Sequence, residues 1–278
     1  MIKKEEIKLI ATDLDGTLLS RNGEASPFTC SIINQLTKLG ITFVPSTSRS
    51  YNELPLSLAT NDIRYYVCIN GAALYDKEHD TLINSHFLDV DYVYKLLEAC
   101  SSVKKVINVV TSGIIHSEKP IVDYYLSYGF SEKDTNRILK KRVMVDDAYT
   151  ILKDLKYIDK LHLNFHTNEL AEKCRKLIPE SDKYSITSST STNIEITNLL
   201  AKKGLAIYEL CDLLAIDKNK IMACGDNKND LSLFEVAKIK VAMSNGAQVL
   251  KTEADYITDY SCDQDGLALF FKDYFDLE

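Results

Sequence analysis

Short apolar runs and helical periodicities alternate through the N-terminal part of the chain. Ile7-Lys-Leu-Ile-Ala11 is largely apolar and short, which suits a strand buried on both faces rather than one exposed face with period two. Ser26-Pro27 then reads as an N-cap followed by Pro at the first helical position. Phe28, Ile32, Ile33, Leu36 and Leu39 recur at helical spacing, and Gly40 stops the helix. Ile41-Thr-Phe-Val44 is a second strand, Tyr51 to Leu58 a second helix, and Tyr65-Tyr-Val-Cys-Ile69 a third strand. This βαβαβ order predicts a parallel sheet with helices on both faces.

From about Leu82 the pattern changes. Helical stretches (Val90 to Cys100, Asp147 to Leu155, Asn168 to Leu177) are mixed with alternating strands. In Leu161-His-Leu-Asn-Phe-His166, Leu161, Leu163 and Phe165 share one face, and His162, Asn164 and His166 the other. That alternation predicts an antiparallel sheet with one open face. Ser188-Ser-Thr-Ser-Thr192 reads as the return crossing, with the first pattern resuming at Ile194. A helix from Lys203 to about Leu214, the strand Ile221-Met-Ala-Cys224 and edge strands at Lys240–Met243 and Tyr256-Ile257 follow; Gly266 to Phe275 closes the chain as a helix. The predicted fold is α/β: a discontinuous core, 1–81 and 194–278, with an α+β domain, 82–193, inserted in it.

Chemistry concentrates at the predicted strand ends. The first strand runs into Asp13-Leu-Asp15-Gly16-Thr17, where period two points both carboxylates the same way and Gly16 permits a sharp turn. Ligands of open α/β sheets bind at that end. Two acids held together there can hold a divalent cation, or one can work as a proton donor. Read alone, the segment also fits an Asp-rich turn. The second strand ends in Ser46-Thr47-Ser48-Arg49; a later helix opens on Lys202-Lys203-Gly204; the strand at Cys224 ends in Gly225-Asp226-Asn-Lys-Asn229-Asp230. An EF-hand reading of that last stretch lacks the central Gly and terminal Glu.

In this order the four pieces resemble the motifs of the haloacid dehalogenase superfamily of phosphohydrolases. Asn70-Gly71-Ala72, Val241–Asn245 and Asp265-Gly266 look like weaker signatures of its Cof-like branch. The resemblance implies a Rossmann-like core with residues 82–193 as its cap. It implies Asp13 as nucleophile and Asp15 as acid and then base. Magnesium would be held by Asp13, the Asp15 carbonyl and Asp226. Leu14, Thr47, Lys203 and Asn229 would hold the phosphate, with Asn70, Ser48, Arg49 and Asp230 in supporting or substrate-facing places. Ser48 stands where the family usually has Gly. The implied reaction is hydrolysis of small phosphorylated metabolites, sugar phosphates foremost; a phosphomutase or phosphotransferase on the same scaffold, or a non-catalytic metabolite-binding regulator, are the alternatives.

The remaining composition narrows the field. Of 278 residues 45 % are apolar, and the net charge is −7, which argues against a nucleic-acid binder and leaves an anionic substrate dependent on local positive charge. The seven cysteines are scattered with no Cys-x-x-Cys pair, which speaks for free thiols in a reducing cytoplasm over zinc or disulfides. His162 and His166 are four apart on a strand, so they form no helical zinc pair. The charged N-terminus precedes no apolar run that would make a signal peptide, and no stretch is long enough to span a membrane.

Overall fold

The computed structural model describes residues 6–188 and 190–278. Met1–Glu5, in the N-terminus read above, and Ser189, in the predicted return crossing, lie outside the described residues. The chain divides into two compact units, Met1–Ser85 with Lys202–Glu278, and His86–Ala201.

The first unit opens with β1 (Leu9–Thr12), all four residues buried. Helix α1 (Pro27–Lys38) begins where Ser26 Oγ accepts the Thr29 N–H, at 3.0 Å, and buries Ile32, Ile33 and Leu36. Each such side chain is worth about 1.5–3 kcal/mol of hydrophobic stabilisation. Strand β2 (Thr42–Pro45) follows. The predicted helix from Tyr51 to Leu58 is instead two separate 3-10 turns, Tyr51–Glu53 and Leu56–Leu58. Pro55 sits between them; it lacks an N–H and pushes the residue before it out of helical geometry, and Leu54 is extended at ψ 146°.

Strand β3 (Tyr65–Cys68) also departs from expectation. It pairs antiparallel with β4 (Ala73–Asp76), which pairs with β5 (Thr81–Ser85) in a separate three-stranded sheet. Its parallel link to β2 is one bridge, Ser46 to Val67, supported by the Thr47 N–H on the Val67 carbonyl at 2.8 Å. Residues 82–85, read from sequence as the start of the insertion, therefore belong to a hairpin of the first unit.

The second unit runs through β6 (Leu88–Asp89), α2 (Val90–Ala99), β7 (Val106–Thr111), β8 (Ile114–Glu118), α3 (Ile121–Ser127), α4 (Glu132–Leu139) and β9 (Arg142–Val145). It continues with α5 (Tyr149–Leu152), β10 (Tyr157–Ile158), β11 (Lys160–Asn164), α6 (Asn168–Leu177), β12 (Tyr184–Thr187) and β13 (Asn193–Asn198). Its main sheet has the order β12-β13-β11-β7-β8-β9, antiparallel except for the β8–β9 pair. Because β13 pairs with β11 and β12, residues 194–198 complete this sheet rather than reopening the core.

Leu161, Leu163, Ile194 and Ile196 pack with Val93 and Leu97 of α2 and Ala171 of α6. The opposite face is polar but not open: Asn108 and Asn164 are buried, and Val106 packs under Ile121, Tyr124 and Tyr125 of α3. His162 is half-buried, 3.2 Å from the Asn193 side-chain nitrogen. Burial pushes its pKa down to about 4.

The first unit then resumes with α7 (Lys203–Leu214), β14 (Ile221–Gly225), α8 (Leu231–Val236), β15 (Ile239–Ala242), α9 (Gln248–Glu253), β16 (Tyr256–Ile257) and α10 (Gly266–Phe275). Its five-stranded sheet is entirely parallel, in the order β16-β15-β14-β1-β2. Strand β1 is flanked by β14 and β2, so the loops after these three strands meet at one edge of the sheet. Among the described residues no helix is long and apolar enough to cross a membrane, and all seven cysteines are free, six of them buried.

Candidate active site

Asp13 directly follows β1, its N–H bonded to the carbonyl of Cys224 on β14 at 3.0 Å. It is 6 % exposed. Asp226 follows β14, and Thr17 donates its hydroxyl to Asp226 Oδ1 at 3.2 Å. Gly16 has a φ of +85°, and a Cβ there would sit 2.5 Å from Asp226 Oδ2; only glycine lets this turn lie against that carboxylate. Asn245 ties the same turn down by donating to the Gly16 carbonyl at 2.8 Å. Leu14 is fully buried and its carbonyl accepts the N–H groups of Thr17 and Leu19, so only its own N–H could meet a phosphate oxygen.

Lys203 reaches this cluster from the first turn of α7. Its Nζ donates to Asp13 Oδ1 at 2.5 Å and to Asp230 Oδ1 at 2.7 Å, with no side-chain exposure. Gly204 makes the approach possible, since a Cβ there would overlap the Ser232 carbonyl oxygen at 1.7 Å. Lys202 is exposed. Asp230 Oδ2 accepts the backbone N–H groups of Asp226 and Asn227, both at 3.0 Å. Asp230 thus braces both the lysine and the loop that carries Asp226.

Carboxylate oxygens of Asp13, Asp226 and Asp230 lie within 4.8 Å of one another. One ammonium faces three carboxylates. Burial, with the neighbouring acids adding to it and Lys203 opposing it, pushes Asp13 up to about 8 and Asp226 up to about 6. Burial works against the Lys203 ammonium, but Asp13 and Asp230 hold its pKa well above the usual lysine value. A compact, all-oxygen cluster with surplus negative charge fits a small divalent cation. A second grouping among the described residues, Asp76, Glu78 and His79, is engaged by Arg64, which bonds Asp76 at 2.9 Å and also pairs with Glu78.

Removing the lysine alone leaves the buried carboxylates without their cation. Lys203→Met is expected to cost about 3–5 kcal/mol of stability in metal-free buffer, as breaking buried ion pairs does. Urea denaturation measures it, and a loss below about 1 kcal/mol would contradict this account of the cluster.

The remaining predicted residues fall on the same edge. Thr47 is fully buried after β2, and its Oγ1 accepts the Arg49 N–H at 3.1 Å. Ser48 is exposed. Asn229 is exposed and donates to Asn70 Oδ1 at 3.2 Å, Asn70 having the left-handed φ of +55°. Asp15 carries a half-exposed carboxylate gripped by Arg49: Nε donates to Oδ2 at 2.8 Å and Nη2 to Oδ1 at 2.5 Å. Sequence reasoning assigned no role to Thr17 or Asn245 and did not pair Arg49 with Asp15. Thr17 lies inside the first motif and was open to notice; the other two contacts span loops with no local signal.

Acids from the ends of two adjacent parallel strands, braced by a lysine from the first turn of α7, define an α/β core with an acidic site at its strand ends. The chain belongs to the haloacid dehalogenase-like hydrolase family, which its residues 10–271 match. Among similar proteins is the 5-amino-6-(5-phospho-D-ribitylamino)uracil phosphatase YcsE of Bacillus subtilis (strain 168). It is 28 % identical over 272 residues, covering 95 % of this chain and 94 % of the relative. A haloacid dehalogenase-like hydrolase from B. subtilis shares the fold with a TM-score of 0.81 at 25 % identity, covering 96 % of this chain and 99 % of its own. So does TM0651 from Thermotoga maritima, with a TM-score of 0.81 at 22 % identity and coverage of 96 % and 97 %. Family and relatives together make the chain a phosphatase.

Proposed function

We propose that this phosphatase is magnesium-dependent and hydrolyses small phosphorylated metabolites, sugar phosphates foremost, through an aspartyl-phosphate on Asp13. The observation that carries the reading is the buried Asp13–Lys203–Asp230 array with Asp226 beside it. The name of the relative YcsE, with its phosphorylated ribityl chain, supports a sugar-like leaving group. The inserted unit is read as the cap that selects that group.

An Asp13 carboxylate oxygen attacks phosphorus as the bond to the leaving oxygen breaks. Asp15 gives that oxygen its proton. The ionised Asp15 then takes a proton from water, whose oxygen attacks the aspartyl-phosphate and releases inorganic phosphate and free Asp13. Lys203 holds Asp13 and offsets charge gathering on the phosphoryl group. Thr47, Asn229 and the Leu14 N–H are the donors for its oxygens. Asp13, the Asp15 carbonyl and Asp226 are the residues that would hold magnesium, which when bound supplies charge neutralisation to the phosphoryl oxygens.

The deciding experiment screens the purified protein against phosphorylated metabolites, following inorganic phosphate with magnesium and with excess chelator. Release from sugar phosphates only when magnesium is present is the expected result. Isomerised or transferred phosphate without free phosphate would replace hydrolysis by a mutase or transferase. Full activity in chelator would remove the metal from the scheme.

A further inference from the structure

Arg49 is built into the first unit more firmly than a substrate-seeking side chain requires. Its side chain is 21 % exposed against 51 % for its partner Asp15, and a third donor, Nη1, bonds the Glu53 carbonyl at 3.1 Å. The backbone is pinned on both sides: its N–H goes to Thr47 Oγ1, and its carbonyl accepts the Ile69 N–H at 3.0 Å. The guanidinium also lies against a glycine. Gly23 has a φ of +81°, and a Cβ there would come within 3.2 Å of Arg49 Nη2.

Asp15, by contrast, stands on a turn with half of its side chain in solvent, and Arg49 donates one hydrogen bond to each oxygen of its carboxylate. A rigid two-point fork fixes both the place and the plane of a carboxylate, which a lysine ammonium does not. A group that must give a proton to one oxygen and later take one from water gains most from such fixing, since misplacement by an ångström is costly.

We propose that Arg49 is the positioning residue for Asp15, its guanidinium fork seated between Gly23 and the Glu53 carbonyl. The proposal rests on the reading of Asp15 as the proton-transfer group. It separates Arg49 from a phosphate or leaving-group contact, the other use a half-buried arginine at a strand end could have.

The test is rapid-quench measurement of phospho-enzyme formation, with steady-state KM alongside, for Arg49→Lys, which keeps the charge and loses the fork, on ribose 5-phosphate and on p-nitrophenyl phosphate. Ribose 5-phosphate has a poor leaving group that needs a proton; nitrophenolate leaves without one. The expected result is a fall in the rate of phospho-enzyme formation of about 10- to 100-fold on ribose 5-phosphate, part of the usual range for acid–base help. KM should stay within about twofold and phospho-enzyme formation from p-nitrophenyl phosphate within about threefold, while hydrolysis of the phospho-enzyme falls equally after either substrate. In an Asp15→Asn background Arg49→Lys should cost nothing further, because the residue acts through Asp15.

A raised KM with kcat retained would overturn the proposal in favour of a substrate contact. Equal losses in phospho-enzyme formation on the two substrates, or an additive loss in the Asp15→Asn background, would overturn it as well. Gly23→Ala crowds the fork while leaving Arg49 in place and should give the same substrate-selective pattern in smaller measure, so the proposal stays open to test if the lysine variant does not fold. If Asp15→Asn alone slows phospho-enzyme formation equally from both substrates, the reading of Asp15 fails and this proposal with it. If Asp15→Asn is selective and Arg49→Lys is not, only the proposal fails.

Discussion

Asp13→Asn is expected to fold and to release phosphate from no substrate at a rate near that of the parent. Loss of a nucleophile costs several orders of magnitude, about 10⁴- to 10⁶-fold in comparable systems. Asparagine fills the same volume after β1 and keeps an oxygen for Lys203, whose second partner Asp230 is untouched. The fold should therefore survive, which circular dichroism and a thermal melt check. A phospho-enzyme trapped by acid quench should carry label at Asp13 in the parent and none in the variant. Near-parental turnover by Asp13→Asn, or label that persists in it, would place the nucleophile elsewhere.

Asp15→Asn should discriminate between substrates rather than abolish all activity. The amide keeps the backbone carbonyl proposed for the metal but can neither donate nor accept the proton in flight. General acid–base help is typically worth about 10²–10⁴-fold, and it matters most for a poor leaving group. Rapid-quench measurement should show phospho-enzyme formation slowed far more with a sugar phosphate than with p-nitrophenyl phosphate. Hydrolysis of the phospho-enzyme should be slowed equally from both, because that intermediate is the same species. An equal loss in the first step on both substrates would mean that Asp15 serves the turn or the metal, and the acid would have to be sought elsewhere.

Much of this was open to reading in the chain alone. The apolar run before Asp13, the N-cap Ser26 with Pro27, and the short run ending in Gly225-Asp226 are local signals, and β1, α1 and β14 stand where those signals put them. Local signals suffice there because parallel strands buried on both faces must be apolar at every position, and helices packed on them must be periodic. The motif order also marked Asp13, Lys203 and Asp226 as candidates before any contact between them was known, because these residues sit at element ends, where turn chemistry is legible. The same local logic failed at Tyr51–Leu58, where the apolar spacing outweighed Pro55.

What the tertiary structure alone decided is non-local. Strand β3 looks like a third parallel strand by composition, yet its hydrogen bonds go mainly to β4, because a short turn through the left-handed residues Ile69 and Asn70 brings the chain straight back on itself. Strand β13 reads as a resumption of the core, yet it completes the second unit's sheet, because pairing depends on which edge is free and not on the strand's own residues. Asp15 and Arg49 meet across two loops; a carboxylate and a guanidinium 34 positions apart carry no mark of each other in sequence. Asp230 likewise becomes a brace for Lys203 and for the Asp226 loop only once α7 lies close enough on α8 for Gly204 to touch the Ser232 carbonyl. Sequence determines which groups are offered at each strand end; the packing of helices and the closure of loops determine which of them touch, and that is a property of the whole fold.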